Sequence, residues 1–593
     1  MKRLQSLRKY FIRYRGRFLL GILFATASSY FAVKSPQIVR DVLNEVQATL
    51  SSYSRLKGSA KANDVLAKIG SLVLWSGLTL LGYAILRGVF MFFMRQTFIV
   101  MSRHIEYDQK AEIFRHYEAL DTQFFKTHFT GDMMNRISED VSRVRQYSGP
   151  AIMYAMSLAA TATLCIWGML HVSPRLTLYV MAPLPFLALT IYIVNRLINR
   201  KSEGIQAQLS DLTTTAQESY SGIRVIKSFV QEEASVRHFN EASEEYRKSS
   251  INLALTEAVY FPSMNMFTGL SMLSTVFIGG MYVLHGQATV GNIAEFVMYI
   301  NLLMFPISSL GVIASTVQRA SVSQRRIDEF LDMKPIILNR ESAIVKDVRG
   351  DVDFQDVTFT YPHTGITALR HFSLAIKPGE KVAVIGKTGS GKSTLAHLLL
   401  RMYDVSDGAV MIDGTRAEDR DLTSLRAGIA YTPQDPFLFS DTIWNNIAFG
   451  CEAATDAEVR EAARLADLDK DIATLADGYD TIIGERGVML SGGQKQRLVL
   501  ARALMKKSKL LILDESLSAV DTRTEQTILN NLRASLKDTT VIVITHRIFT
   551  TWTFDKIVVL DNGSIIEAGT HEALMRGEAR YAKLYRHQTE ASA

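Results

Sequence analysis

Six runs of roughly twenty apolar residues, near 18–37, 69–94, 149–171, 176–195, 265–284 and 291–313, set the terms on which this chain can fold. Each approaches the ~20 residues that carry a helix across a ~30 Å hydrocarbon layer. A polytopic helical membrane domain is therefore expected in the first half. Lys34 and Pro36 cut the first run short and Arg87 interrupts the second, so those two spans have the least defined limits.

The runs do not account for the whole chain. Its 593 residues exceed one compact domain, and charged residues still make up 21% beside 48% hydrophobic ones. A soluble, charged part must share the chain with the spans. The composition shift, with Arg319, Arg325, Arg326 and Pro335 leading out of the last run, places a membrane domain at 1–335, a linker at 336–350 and a soluble domain at 351–593. The net charge is +7, and seven of the first seventeen residues are basic (Lys2, Arg3, Arg8, Lys9, Arg13, Arg15, Arg17), directly before the first apolar run. That placement fits an anionic inner leaflet rather than a nucleic acid. The first run has no small-residue cleavage site, so a removable signal peptide is not expected. Cys165 and Cys451 are the two cysteines, with no CxxC and no Cys/His spacing, which argues against a disulfide framework or a structural metal.

From Asp351 the pattern changes. Val352, Phe354, Val357 and Phe359 follow the period of two of a half-buried strand, ending at Tyr361-Pro362. The apolar strand 382–385 then runs into Gly386-Lys387-Thr388-Gly389-Ser390-Gly391-Lys392-Ser393 and a helical stretch from Thr394. Strand, glycine-rich loop and helix start in that order make a P-loop. Phosphate oxygens need backbone N–H groups around them, and glycine lets the chain wrap that closely. Lys392 is expected at the β and γ phosphates of ATP, Ser393 at Mg²⁺, with the helix dipole aimed at the triphosphate. A second strand, 510–513, ends in Asp514 and Glu515. Asp514 is the expected Mg²⁺ carboxylate and Glu515 the group that polarises the attacking water.

Between these lies Leu490-Ser491-Gly492-Gly493-Gln494, opening the helical run 495–502. A serine and two glycines at a helix start make a second anion site by the same physics. Here the sequence resembles the ATP-binding cassette (ABC) superfamily, whose signature this segment is. The resemblance implies an α/β P-loop NTPase domain after six transmembrane helices. It also implies that Leu490, Ser491, Gly492, Gly493 and Gln494, with Asp521 of Ser518-Ala519-Val520-Asp521, serve the ATP bound by another chain, so the protein works as a dimer. It further implies Tyr361 stacking on adenine, Gln434 of Tyr431-Thr432-Pro433-Gln434 contacting Mg²⁺ and its water, and His546 of Ile544-Thr545-His546-Arg547 at the γ phosphate. Glu515, His546, Gln434 and Lys392 form the expected catalytic set; Ser393, Gln434 and Asp514 the Mg²⁺ set.

With ATP on the cytosolic side and a basic amino terminus, the number of crossings must be even. Six crossings place 95–148 and 196–250 inside with eight Lys or Arg each, against five in the outer segments 48–68, 171–175 and 285–290 together. This is the positive-inside bias. The inside segments carry helical spacing, as in Ile113, Tyr117, Leu120 and Phe124, and are expected to extend the membrane helices.

Membrane domain before cassette in one chain resembles the bacterial multidrug and lipid exporters. Gly484-Glu485-Arg486-Gly487 resembles a segment of exporter cassettes. Phe124-Phe125 with Thr130-Gly131-Asp132-Met133-Met134-Asn135-Arg136 and Asp140, and Glu218 with Gly222-Ile223-Arg224-Val225-Ile226-Lys227, resemble the two coupling-helix regions. No catalytic position is lost, which favours a homodimer over a heterodimer. The resemblance implies ATP-driven export of a hydrophobic or amphipathic small molecule, with a lipid flippase as the alternative and a peptide exporter or ATP-gated regulator behind it. Six spans argue against a soluble DNA-linked ATPase. An integral protein of the bacterial inner membrane is expected, with both termini and the cassette cytosolic. Met264, Met266, Phe267, Met272, Met298, Tyr299, Met304 and Phe305 line the last two spans and suit either apolar ligands or helix packing. Glu257 and Glu295 are costly intramembrane carboxylates that either face a cavity or sit at the interface.

Overall fold

The computed structural model describes residues 2–56, 61–451, 453–548, 552–577 and 579–592. Six helices among them are long and apolar enough to cross a membrane: α1 (Arg15–Leu50), α2 (Asn63–Ala119), α3 (Thr130–Val172), α4 (Pro174–Ser221), α5 (Glu232–Leu284) and α6 (Val290–Leu331). All six apolar runs fall inside them. The helices are 36 to 57 residues long. At 1.5 Å per residue the longest spans about 85 Å, far more than a hydrocarbon layer, so it continues into water as the spacing of 95–148 predicts. Lys34 and Pro36 do not end α1: the helix runs through Pro36, where Ser35 Oγ donates to the Phe31 carbonyl at 3.2 Å. The outer segment 48–68 lies partly outside the described residues.

The chain divides into two compact units, one of residues up to Glu118 with Gly131–Met333, the other of Ala119–Thr130 with Lys334–Ala593. In the first, α6 packs along α1 and α3, and α4 along α5. The interior is apolar around Cys165, Leu176, Leu187, Phe296 and Ile300. Met264, Phe267, Met272 and Met304 pack against this core, whereas Met266 is exposed. The side chain of Phe305 lies outside the described residues. Glu295 is fully buried, but it faces no open space: Arg40 Nη1 lies 3.1 Å from its Oε2 and Tyr299 Oη donates to its Oε1 at 2.8 Å. A buried carboxylate is tolerable only when paired and hydrogen-bonded, and here both conditions hold. Glu257 is exposed. The stretch 130–172 is not a regular helix throughout; π turns at Arg136–Asp140 and Tyr147–Ala151 interrupt it. The first lets the buried Asp140 accept from Ser323 Oγ at 2.7 Å, while Asp132 pairs with both Arg136 and Arg326.

The second unit holds two sheets. The first, in the order β2-β1-β4-β5, consists of β1 (Val352–Thr360), β2 (Thr367–Ile376), β4 (Asp407–Ile412) and β5 (Thr415–Arg416), all antiparallel. Val352, Phe354, Val357 and Phe359 are all buried, although the middle two stand three positions apart rather than two. A register shift there, with Asp356 at φ +48°, absorbs the odd residue and keeps both pairs on the core face. The second sheet, in the order β10-β9-β3-β8-β7-β6, consists of β3 (Lys381–Gly386), β6 (Ile429–Thr432), β7 (Leu510–Asp514), β8 (Thr540–Thr545), β9 (Lys556–Asp561) and β10 (Ser564–Gly569). Strands β9, β3, β8, β7 and β6 are parallel. Val382, Val384, Ile512, Ile542, Ile544 and Val558 are buried, as strands covered on both faces require. The helices of this unit include α7 (Lys392–Leu399), α8 (Gly492–Met505) and α9 (Thr522–Ser535).

The Ala119–Thr130 segment belongs to this second unit. Asp121 caps the short helix Thr122–Thr127 and accepts from the Ile336 N–H at 2.8 Å, and Phe124 is buried.

Candidate nucleotide site

In a parallel sheet all carboxyl ends lie on one edge, and ligands bind there. The register of this sheet fixes what that edge carries. Ile385 of β3 pairs with Thr545 of β8, Ile544 of β8 with Asp514 of β7, and Leu513 of β7 with Thr432 of β6. The loops that leave these four strands carry the P-loop, His546, Glu515 and Gln434. Residues 386, 434, 515 and 546, spread over 160 positions, are thus brought to one edge by strand pairing alone.

The P-loop is tightly built. Gly391 has φ +99°, and a Cβ there would stand 2.2 Å from the Ala368 carbonyl oxygen. Glycine is the residue that fits. Lys392 is 5% exposed and bridges the loop, with Nζ donating to the carbonyls of Gly386 and Lys387, both at 2.9 Å. Burial lowers its pKa, against the pull of Glu515 and Asp514. Thr394 is buried in the first turn of α7, and Ser390 Oγ is buried with no hydrogen-bond partner among the described residues.

Asp514 is 1% exposed. Burial pushes its carboxyl up to about 6; Ser393 and Lys392 pull it down, and Glu515 pushes it further up. Tyr431 Oη lies 3.5 Å from Oδ2, while Oδ1 has no hydrogen-bond partner among the described residues. A buried, orphaned carboxylate oxygen beside a serine hydroxyl is an oxygen-donor set suited to a hard divalent cation.

Glu515 directly follows β7 with φ +46°, an unusual backbone for a non-glycine residue, held by its N–H to the Ile544 carbonyl at 2.8 Å. That turn aims its carboxylate between two partners. Gln434 Nε2 donates to Oε2 at 2.9 Å, and His546 Nδ1 lies 3.3 Å from Oε1. Tyr361, just past β1, holds its Oη 3.0 Å from Thr394 Oγ1 and 3.1 Å from His397 Nδ1.

The signature segment is placed differently. Ser491 is exposed and caps α8: its Oγ accepts the Gln494 N–H at 3.3 Å, and the Gln494 side chain accepts the Ser491 N–H at 3.0 Å. Gly492 is exposed and Leu490 and Gly493 partly so. Asp521 caps α9 through the Thr524 N–H. Among the described residues no hydrogen bond joins Leu490–Gln494 to the P-loop of this chain. Sequence reasoning passed over Gln496, whose amide ties α8 to the turn after Glu515, donating to Ser518 Oγ and accepting from the Ala519 N–H, both at 2.9 Å. It also passed over Tyr431 and His397. A glutamine inside a helical run and a histidine in a P-loop helix carry no spacing signal.

The family comparisons agree with this architecture. Residues 17–307 match the ABC transporter transmembrane region family and residues 369–518 the ABC transporter family. The chain is 35% identical over 524 residues to the multidrug resistance-like ATP-binding protein MdlA of Escherichia coli (strain K12), covering 88% of both chains. It is 36% identical over 516 residues to an ATP-dependent lipid A-core flippase of Hahella chejuensis, covering 87% of this chain and 88% of the relative. Among solved structures, a bacterial Atm1-family ABC exporter with ATP bound superposes with TM-score 0.73 at 26% identity, over 98% of this chain and 99% of the other. The chain therefore belongs to the ABC transporters: an integral membrane protein of exporter fold that binds ATP and couples its hydrolysis to ADP and phosphate with transport.

Proposed function

We propose that this protein exports a hydrophobic or amphipathic small molecule by alternating access, as a dimer in which two ATP molecules are held between two cassettes. The observation that carries the catalytic part is Glu515, set between Gln434 and His546 at the edge where the four strands end. Glu515 accepts the proton of the attacking water, and His546 and Lys392 meet the γ phosphate as its charge changes. Gln434 senses the occupant and Tyr361 stacks on adenine. Mg²⁺ would be held by Ser393, Asp514 and Gln434 and would neutralise charge on the phosphate oxygens. Backbone N–H groups of Gly386, Lys387, Thr388, Gly389, Ser390 and Gly391, with Thr394 behind them, cradle the phosphates.

Leu490, Ser491, Gly492, Gly493, Gln494 and Asp521 complete the ATP site of the other chain, and an exposed signature supports that assignment. A homodimer is favoured, since each functional position is kept. The working division is a membrane domain of 1–335, a linker of 336–350 and a cassette of 351–593, in the bacterial inner membrane with both termini and the cassette cytosolic. ATP drives the cycle only through its higher affinity for the closed cassettes. The relatives include a multidrug-type protein and a lipid A flippase, so lipid flipping is the second reading.

Glu515→Gln is expected to leave ATP binding intact and to cut turnover at least ~100-fold in reconstituted vesicles. Unchanged turnover overturns the assignment. In the same vesicles, ATP-dependent movement of a soluble dye supports export of small molecules, and flipping of labelled lipid without added drug supports the second reading.

A further inference from the structure

Tyr361 is not a free aromatic platform. Its backbone is pinned in a tight turn, with its N–H donating to the Ile366 carbonyl and its carbonyl accepting from Gly365, both at 2.9 Å. Its ring is boxed edge-on by Phe359 at 4.8 Å and Tyr403 at 5.4 Å between centroids. What remains to fix is rotation about the side-chain bonds, and that is set at the phenol oxygen.

Two side chains reach that oxygen, Thr394 Oγ1 at 3.0 Å and His397 Nδ1 at 3.1 Å. They stand three residues apart on α7, so they lie on one face of the helix. A phenol carries one proton to give and lone pairs to receive. Tyr361 Oη can donate to one of these groups while accepting from the other, so both bonds form with a neutral imidazole. Burial lowers the His397 pKa, and the charge of Lys126, in the Ala119–Thr130 segment of the same unit, lowers it further. Both keep the ring neutral.

We propose that His397 is a positioning residue for base binding: by hydrogen-bonding to the Tyr361 hydroxyl it holds the phenol ring in place, tying the base platform to the helix that begins at the P-loop. Base and phosphate subsites are then carried by one rigid element. A ring already held loses less rotational freedom when a base stacks on it, so the effect falls on ATP affinity rather than on the hydrolytic step.

The inference rests on Tyr361 being the base platform, and the experiment separates the two. Full-length protein in vesicles is assayed for KM and kcat with ATP, and for inhibition by inorganic tripolyphosphate, which has no base. Loss of one hydrogen bond predicts that His397→Ala and Tyr361→Phe each raise KM about three- to tenfold with kcat nearly unchanged. The double variant is no worse than either alone, because both remove the same bond. His397→Asn, whose side-chain amide can accept from or donate to the phenol, recovers most of the loss. Tripolyphosphate inhibition stays as in the wild type, whereas a general disturbance of α7 weakens it. If Tyr361→Ala leaves KM unchanged, Tyr361 is not the platform. If Tyr361→Ala raises KM but Tyr361→Phe behaves as wild type while His397→Ala changes tripolyphosphate inhibition, the platform stands and the positioning role fails. Additive effects in the double variant also overturn it.

Discussion

The cassette contains two helix starts built to receive anions, and they are finished in opposite ways. At the P-loop, α7 begins inside the unit, with Lys392 and Thr394 buried and the orphaned oxygen of Asp514 close by. At the signature, α8 begins at the surface, and Ser491 and Gln494 spend their side chains capping their own helix. The first site gathers its partners from its own chain, through strands paired in register. The second gathers none from the P-loop among the described residues, and Ser491 and Gly492 at its start are exposed. Equal physics at the two helix ends, with unequal enclosure, supports the proposed sharing of the ATP site between two chains.

The sharpest way to break this comparison is complementation. Lys392→Ala disables one helix start and Gly492→Asp the other, each expected to cost turnover at least ~100-fold when both chains of a dimer carry it. Co-expressed with different tags and purified through both, a mixed dimer pairs the intact P-loop of one chain with the intact signature of the other. ATPase activity should return in that mixture alone. If it stays at background while the mixed dimer is intact, the signature does not serve the neighbouring chain.

A contrast in ATP binding between two variants tests enclosure directly. Gly391→Ala places a methyl group against the Ala368 carbonyl in a left-handed backbone and should abolish ATP binding. Gly492→Ala meets nothing closer than Ala519 Cβ at 3.7 Å, so ATP binding by the isolated chain, read with a fluorescent nucleotide, should be kept. Equal loss in both variants would mean that the two helix starts are equally enclosed.

The two regions also differ in how they could be read. The P-loop, Asp514, Glu515 and the signature were visible in sequence because phosphate and metal chemistry demands particular residue types at fixed spacing. The six spans were visible because lipid demands a length. Not legible were features that depend on residues far apart. Arg40 and Glu295, 255 positions apart, form the pair that answers why a carboxylate is buried in the membrane unit. The bulge at Asp356 was implied only by an odd spacing, and the left-handed turn at Glu515 follows from strand end and loop together. His397 and Gln496 act through partners that no local pattern names.

The smallest expected effect concerns two aspartates, one on each side of the comparison. Asp514 is buried, and its carboxyl is raised from 3.8 to about 6. Asp521 is exposed, and its pKa is lowered by the N–H and side chain of Thr524. For Asp514 the fold binds a proton more tightly than the unfolded chain does, so stability falls as pH rises from about 4 through 6 and is lowest above that window. For Asp521 the sign reverses: its contribution is present above its unfolded pKa and is lost as pH falls through the folded one. Asp514→Asn removes the buried charge. In full-length protein without nucleotide or divalent cation, it should raise the unfolding temperature of the cassette by about 2–4 °C at pH 7.5 and much less at pH 5. Adding Mg²⁺ and ATP should stabilise the wild type more than this variant, because the wild-type carboxylate then has a cation to meet. Asp521→Asn keeps a good helix cap and should shift neither curve by more than about 1 °C. A Tm gain for Asp514→Asn that is equal at both pH values would show that its burial, and not its charge, sets the difference between the two sites.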